Sequence, residues 1–322
     1  MNSGSINFRY QVLQMIASSS MSTVYKVWDA SSKKILALKA SLNCGERCSE
    51  KVLAKEFFIL SKYNHPRIVQ ALNLDFASSG AALMPGTVFF TMEYMRGKTL
   101  DKARNLTYHS IEDILLQLLA AMKVIHEAGI VYGDMKPHNI MVLDRKELQI
   151  KLFDFGLAMR EGVKVDGKEI SGTLLYIAPE MLRGGEIDRR TDLYSLGAML
   201  YEMVTGFPPF YGKDAISVAY GHLMELPLNP SSLNPSIPKR LKIMIMRLLQ
   251  KDPGRRFQNV DEVLSYMGRQ DRKGWDLDPF RVLEKGTARI KESRKRLFLK
   301  NGESLPLRLF PSSGKMKPRS FS

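Results

Sequence analysis

Apolar positions recur along this chain with two different spacings, and the change from one to the other falls near residue 95. Tyr10 to Ile16, Thr23 to Trp28 and Lys34 to Lys39 read as short extended segments. A Ser-rich turn and the polar turn Ala30 to Lys33 separate them, which predicts a small antiparallel sheet. In Glu50 to Tyr63 the residues Val52, Leu53, Phe57 and Leu60 recur at three- and four-residue steps, predicting a helix that His65-Pro66 stops. Val88 to Tyr94 is a further apolar strand, and Gly97 follows it. From Ile111 onward the texture is that of long amphipathic helices, at Ile111 to Ala128, Asp192 to Thr205 and Pro238 to Gln250. The expectation is an α+β chain, its β-rich first part joined near Met95 to Gly97 to a helical second part. There is no internal repeat, and low complexity is confined to Ala17 to Ser22. After Met267 the periodicity weakens and basic residues gather, so 269–322 reads as a tail or linker.

Composition narrows the class. With 322 residues, 44% hydrophobic and 25% charged, the chain can bury a sizeable core. No window approaches the roughly 18 apolar residues of a membrane span; even Ile114 to Ile125 carries Gln117 and Lys123. Met1 to Arg9 lacks the apolar stretch of a signal peptide, so the expected location is the cytoplasm. Cys44 and Cys48 are the only cysteines, too few for a disulfide framework or a zinc site, and read as reduced thiols. Of the net charge of +15, nine lies in 269–322, where fifteen Lys or Arg meet six Asp or Glu. That tail holds few aromatics between its charges. It therefore reads as a solvated tail or a link to a further domain rather than a nucleic-acid or membrane binder.

The chemistry concentrates in Ile130-Val-Tyr-Gly-Asp134-Met-Lys136-Pro-His-Asn139-Ile-Met-Val, followed by Ile150-Lys-Leu-Phe-Asp154-Phe155-Gly156. Phosphoryl transfer needs a carboxylate to orient the acceptor hydroxyl and oxygen ligands for the metal that neutralises the phosphates. Asp134, Asn139 and Asp154 supply such groups. The pair of segments resembles the eukaryotic-type (Hanks-type) Ser/Thr protein kinase family, whose catalytic loop reads H-R-D-x-K-x-x-N and whose metal loop reads D-F-G. Further on, Gly172-Thr173-Leu-Leu-Tyr176-Ile-Ala178-Pro179-Glu180 resembles the end of its activation segment. Asp192-Leu-Tyr-Ser-Leu-Gly197 is similar to the helix that anchors the catalytic loop, and Arg256 to the arginine that pairs with the glutamate of A-P-E, here Glu180. The order and spacing of these motifs carry the resemblance, because any one alone is weak.

The resemblance implies a bilobal kinase domain over 8–268, with an N-lobe 8–94, a hinge 95–97 and a C-lobe 98–268. It implies Asp134 as catalytic base, Lys136 at the γ-phosphate, Thr173 hydrogen-bonded to both, and Asn139 and Asp154 as ligands of magnesium or manganese. Leu36-Ala37-Leu38-Lys39 is similar to the V-A-I-K strand, so Lys39 would reach the ATP phosphates and Glu56 would hold it. Met92 would be the gatekeeper, backbone groups of Glu93 to Met95 would bind adenine, and Val24, Ala37 and Met141 would sandwich it. Ala17, Ser19 and Ser22 stand where the family's phosphate-covering loop has glycines. His65 and His138 fall at structural or variable positions, and Met199, Met203, Met244 and Met246 at core spacing.

Two departures stand out. The phosphate loop has none of its three glycines, which is expected to stiffen it and weaken ATP binding. Tyr132-Gly133-Asp134 replaces H-R-D, and the missing arginine is the one that receives a phosphorylated activation loop in many members. From Met159 to Ile170 there is no Ser, Thr or Tyr at all. The expected activity is ATP-dependent transfer to protein Ser or Thr hydroxyls, regulated by a partner or the tail. The alternative is a pseudokinase scaffold with weak or no turnover. A small-molecule kinase is disfavoured by Ala178-Pro179-Glu180, which such enzymes generally lack.

Overall fold

Short polar turns between apolar strands fold the first part of the chain into one antiparallel sheet. The computed structural model describes residues 4–42, 48–78, 82–103, 106–143, 148–165 and 174–268. Its sheet contains β1 (Ser5–Ile6), β2 (Tyr10–Ser18), β3 (Ser22–Asp29), β4 (Lys34–Ser41), β5 (Ala71–Phe76) and β6 (Val88–Glu93), in the order β1-β2-β3-β4-β6-β5. The sheet thus begins ahead of Phe8, because β1 pairs with β2 through Ser5↔Gln11 and Ile6↔Tyr10. The helix α1 (Cys48–Leu60) packs on β4, β5 and β6. It stops at Leu60 rather than Tyr63, where the amides of Lys62 and Tyr63 turn back to the carbonyls of Ile59 and Leu60. β5 escaped the sequence reading: its Asn73 and Asp75 are poor strand formers, and it is a largely exposed edge strand.

The second part holds the short strands β7 (Lys98–Thr99), β8 (Ile130–Val131), β9 (Ile140–Val142), β10 (Ile150–Leu152) and β11 (Met159–Arg160). Around them lie α2 (Tyr108–Glu127), α3 (Pro179–Leu182), α4 (Arg189–Thr205), α5 (Ala215–Met224), α6 (Pro230–Leu233), α7 (Lys239–Leu248) and α8 (Val260–Gly268). The starts of α2 and α4 precede the apolar pattern because caps set them: Thr107 Oγ1 accepts the Ser110 amide at 3.1 Å, and Asp188 Oδ1 the Arg190 amide at 2.8 Å. α4 is buried nearly all round, so α2, α6, α7 and β8 can all pack on it. Its Gly197 lets α7 come close, since a Cβ there would lie 2.6 Å from Leu248 Cβ.

One apolar core runs through both parts, from Ala37, Leu53, Phe90 and Met92 to Leu241 and Val263. Cys44, the segment with Ser171, Gly172 and Thr173, and the basic 269–322 stretch lie outside the described residues. Among the described residues no helix is long and apolar enough to cross a membrane.

α5 is locked to the core by a buried polar group. His222 is fully buried, with Nδ1 2.9 Å from the Tyr194 hydroxyl of α4. Lys251 donates to the carbonyls of Gly221 and His222 at 2.9 and 2.7 Å. Burial, aided by the Lys251 charge, pulls the His222 pKa down to about 3. Near pH 6.5 and below, the unfolded chain binds a proton that the native imidazole refuses, so stability falls as pH falls through this window. His222→Gln is expected to lose about 1 kcal/mol less than the parent between about pH 7.5 and about pH 5.5. Urea unfolding at the two pH values measures this, and equal losses would show that other groups carry the slope.

Candidate active site

Six successive residues of β4, Leu36 to Ser41, are buried, and Lys39 is the cation among them. Burying an ammonium without partners is prohibitive, so its neighbours matter. Lys39 Nζ donates to Glu56 Oε1 at 2.8 Å, to Glu56 Oε2 at 2.7 Å and to Asp154 Oδ1 at 2.9 Å. Glu56 comes from α1 and also accepts the Phe155 amide at 3.2 Å. Burial opposes charge on Lys39, but Glu56 and Asp154 outweigh it and hold the ammonium above its usual pKa. Burial pushes the Glu56 carboxyl up against the pull of Lys39. With both of its oxygens on Nζ, the geometry decides for the charged pair. Asp154 is pushed up by burial yet sits below its usual value, chiefly because of Lys39 and more distantly Lys136. Asp154 also adopts φ +64°, a left-handed conformation that non-glycine residues rarely hold without surrounding restraint.

A second cluster is built by α4. Asp192, fully buried, accepts the amides of Tyr132 and Gly133 at 2.8 Å each and lies 2.8 Å from His126 Nε2. It therefore fixes the backbone just ahead of Asp134. Asp134 Oδ2 receives Lys136 Nζ and Asn139 Nδ2, both at 2.7 Å, and the same Asn139 nitrogen reaches the Asp134 carbonyl at 3.0 Å. The two clusters are braced together: Phe153 N donates to the Asn139 carbonyl at 3.1 Å, and the Tyr132 hydroxyl donates to the Phe153 carbonyl at 2.5 Å. Burial pushes the Tyr132 phenol well above its usual pKa, so it remains a donor. Rings continue the brace, with Tyr132 4.9 Å and Tyr63 6.3 Å from Phe155. Gly133 has φ +77°, and a Cβ there would lie 2.9 Å from the Leu157 carbonyl oxygen.

The remaining sequence-predicted positions flank these clusters. In the sheet register Val24 faces Lys39 and Ala37 faces Met92, while Met141 lies in β9 opposite Lys151. Met92 is buried, and Glu93 and Met95 are half-buried where the chain leaves β6. The Glu93 amide donates to the Gln70 carbonyl, and its carboxylate takes the Gln70 amide at 2.9 Å and the Lys151 ammonium. Ala17 pairs with Val24 at the end of β2, and Ser19 and Ser22 close the turn between β2 and β3. His138 is exposed, 3.6 Å from Asp101, and His65 Nδ1 accepts the Arg67 amide. Thr173 lies outside the described residues.

Sequence reasoning missed several partners. Lys26 of β3 sits 4.9 Å over the Tyr94 ring, beside the exit from β6. The Tyr176 hydroxyl donates to half-buried Glu202 of α4, tying the 174–176 turn to that helix. No local pattern marks Glu202 or His126, because their partners lie 26 and 66 residues away. Arg256 and Glu180, in contrast, pair as expected, through two parallel bonds of 2.7 and 2.8 Å.

The donor set suits magnesium. One carboxylate, Asp154, and one amide carbonyl, Asn139, would offer it hard oxygen donors, few enough to leave positions for water. A model of the protein kinase domain matches residues 10–266. A probable serine/threonine-protein kinase of Clostridium perfringens is 33% identical over 264 residues, covering 80% of this chain and 37% of that protein. Serine/threonine-protein kinase pkn3 of Myxococcus xanthus is 32% identical, over 78% of this chain and 48% of its own length. Probable serine/threonine-protein kinase PknB of Bifidobacterium longum is 30% identical, over 80% and 40%. The chain thus spans less than half the length of these relatives. The family match runs from the first long strand to the last helix and takes in both polar clusters, so this chain belongs to the protein kinase family, of the eukaryotic type.

Proposed function

We propose that this chain is an active protein serine/threonine kinase domain, spanning about 8–268 and acting in the cytoplasm on protein Ser or Thr hydroxyls. The observation that carries this reading is the intact polar set: Lys39 engaged by Glu56 and Asp154, beside Asp134 held by Lys136 and Asn139. A scaffold that had lost turnover would have no need to keep a buried ammonium between two carboxylates, since such a group is costly unless used. The names of the relatives point to the same activity. Lys39 takes the α- and β-phosphates, and Lys136 the transferring phosphoryl group. Asp134, held by Lys136 and Asn139, orients the acceptor hydroxyl and accepts its proton. Asn139 and Asp154 would hold magnesium, which would neutralise phosphate charge. Val24, Ala37, Met92 and Met141 enclose the base, with Glu93 and Met95 at the exit from β6.

The reading includes a non-RD catalytic loop. Gly133 offers no guanidinium to a phosphorylated activation segment, so activity is independent of phosphorylation there. Regulation then comes from a partner, or a further domain, acting on α1 and its Glu56. The test is incubation of the purified chain with labelled ATP, magnesium and a basic protein substrate, with Asp134→Asn as control, before and after phosphatase treatment. Transfer by the parent, its loss in Asp134→Asn and a rate changed less than tenfold, about 1.4 kcal/mol in barrier, by dephosphorylation are expected. Absence of transfer would favour the scaffold reading.

A further inference from the structure

The turn between β2 and β3 is closed by its own serine. Ser19 Oγ accepts the amide of Met21 at 3.3 Å and that of Ser22 at 3.1 Å, and donates to the Ser22 carbonyl at 3.1 Å. Two successive backbone N–H groups converging on one point form a concavity suited to an anion. Here a hydroxyl of the same turn sits in it. None of Ala17, Ser19 and Ser22 has a positive φ, so the turn as folded does not require glycine at any of them. What distinguishes this loop from a glycine loop is therefore an added acceptor on the loop's own amides, more than a loss of backbone freedom.

We propose that the Ser19 hydroxyl is an internal competitor for the phosphates of a nucleoside di- or triphosphate, and so sets the affinity for that ligand. The proposal rests on the nucleotide-site reading above and deepens it. A phosphate oxygen approaching the Met21 and Ser22 amides has to displace Ser19 Oγ, at the cost of the internal hydrogen bonds it makes. The hairpin does not depend on that hydroxyl. β2 and β3 stay paired from Tyr10↔Asp29 to Ser18↔Thr23, the Ser19 amide donates to the Ser22 carbonyl at 2.9 Å, and the Ser18 and Thr23 hydroxyls lie 3.2 Å apart. A ligand without phosphate, such as adenosine, does not compete with Ser19 at all.

Ser19→Ala separates the two explanations of the missing glycines, because it removes the hydroxyl while keeping the Cβ. Titration of the full chain with ADP and with adenosine, for the parent, Ser19→Ala, Ser19→Gly and Ser19→Asp, reads the effect. Ser19→Ala and Ser19→Gly are expected to bind ADP about fivefold tighter, the worth of one or two neutral hydrogen bonds. Ser19→Asp, which leaves an anion among the same amides, is expected to bind ADP about tenfold more weakly. Adenosine affinity stays unchanged in all three. Tighter ADP binding in Ser19→Gly alone would return the explanation to backbone freedom and overturn the proposal. So would equal shifts for ADP and adenosine. If neither ligand binds the parent or any variant, the nucleotide-site reading fails and the proposal falls with it. Adenosine binding with a flat ADP response sinks the Ser19 role alone.

Discussion

Lys39→Met and Asp154→Ala are each expected to lower phosphoryl transfer by at least about a hundredfold while leaving the domain folded. On the proposed function the chemistry depends on fixed charges aimed at the phosphates, and both residues belong to that set. Methionine keeps the length and packing of the Lys39 stem but removes the only cation within reach of Glu56 Oε1 and Oε2 among the described contacts. Glu56 is then a buried carboxyl without its counterion. Its pKa is already raised by burial, so it can take a proton rather than unfold the lobe. Asp154→Ala removes the carboxylate proposed to hold the metal and adds to the cost of the φ +64° backbone, which alanine tolerates less well than aspartate. Initial rates with saturating ATP, alongside circular dichroism and thermal melts, separate lost chemistry from lost fold. Near-parental turnover in both variants would overturn the kinase assignment.

Arg256→Ala carries the largest expected effect on stability. Arg256 is 1% exposed. It makes two bonds to Glu180, and it donates to the carbonyls of Gln250, Arg190 and Lys251 at 2.8, 2.9 and 3.2 Å. Its plane also lies 4.8 Å from the centroid of the Tyr194 ring. Truncation strands Glu180 and three carbonyls at once, and breaking a buried pair from one side costs about 3–5 kcal/mol. For a domain of this size that corresponds to a melting temperature lower by roughly 10 °C. Arg256→Lys keeps the charge but loses the two-pronged geometry, so it is expected to recover less than half of the loss. A melting point within about 2 °C of the parent for Arg256→Ala would show that the network is redundant.

Much of this was legible because the informative spacings are short. Asp134, Lys136 and Asn139 lie within six residues, so one turn of chain brings their side chains together, as the bonds from Lys136 and Asn139 to Asp134 show. The helices over 111–128, 192–205 and 238–250 were also readable, because their faces repeat every three to four residues. Their ends were set instead by single caps, Thr107 and Asp188 among them, which move a boundary by three residues without altering the pattern.

The sequence by itself determined the fold class, and it put forward the candidate residues Lys39, Glu56, Asp134, Asn139 and Asp154 with their order. It also determined that positions 17, 19 and 22 have no glycine and that residue 133 has no guanidinium. Only the tertiary structure decided that Lys39 reaches Glu56 and Asp154 together, that Asp192 grips the backbone before Asp134, and that Glu202 joins the 174–176 turn. It alone decided that β5 completes the sheet edge and that Ser19 turns its hydroxyl onto its own loop. The physical reason is that local pattern reports which face of an element is apolar, whereas hydrogen bonds between distant buried groups depend on how whole elements pack. A carboxylate such as Asp192, buried and flanked by Thr191 and Leu193, looks like any polar helix residue until the amides of Tyr132 and Gly133, about sixty residues earlier, are folded against it.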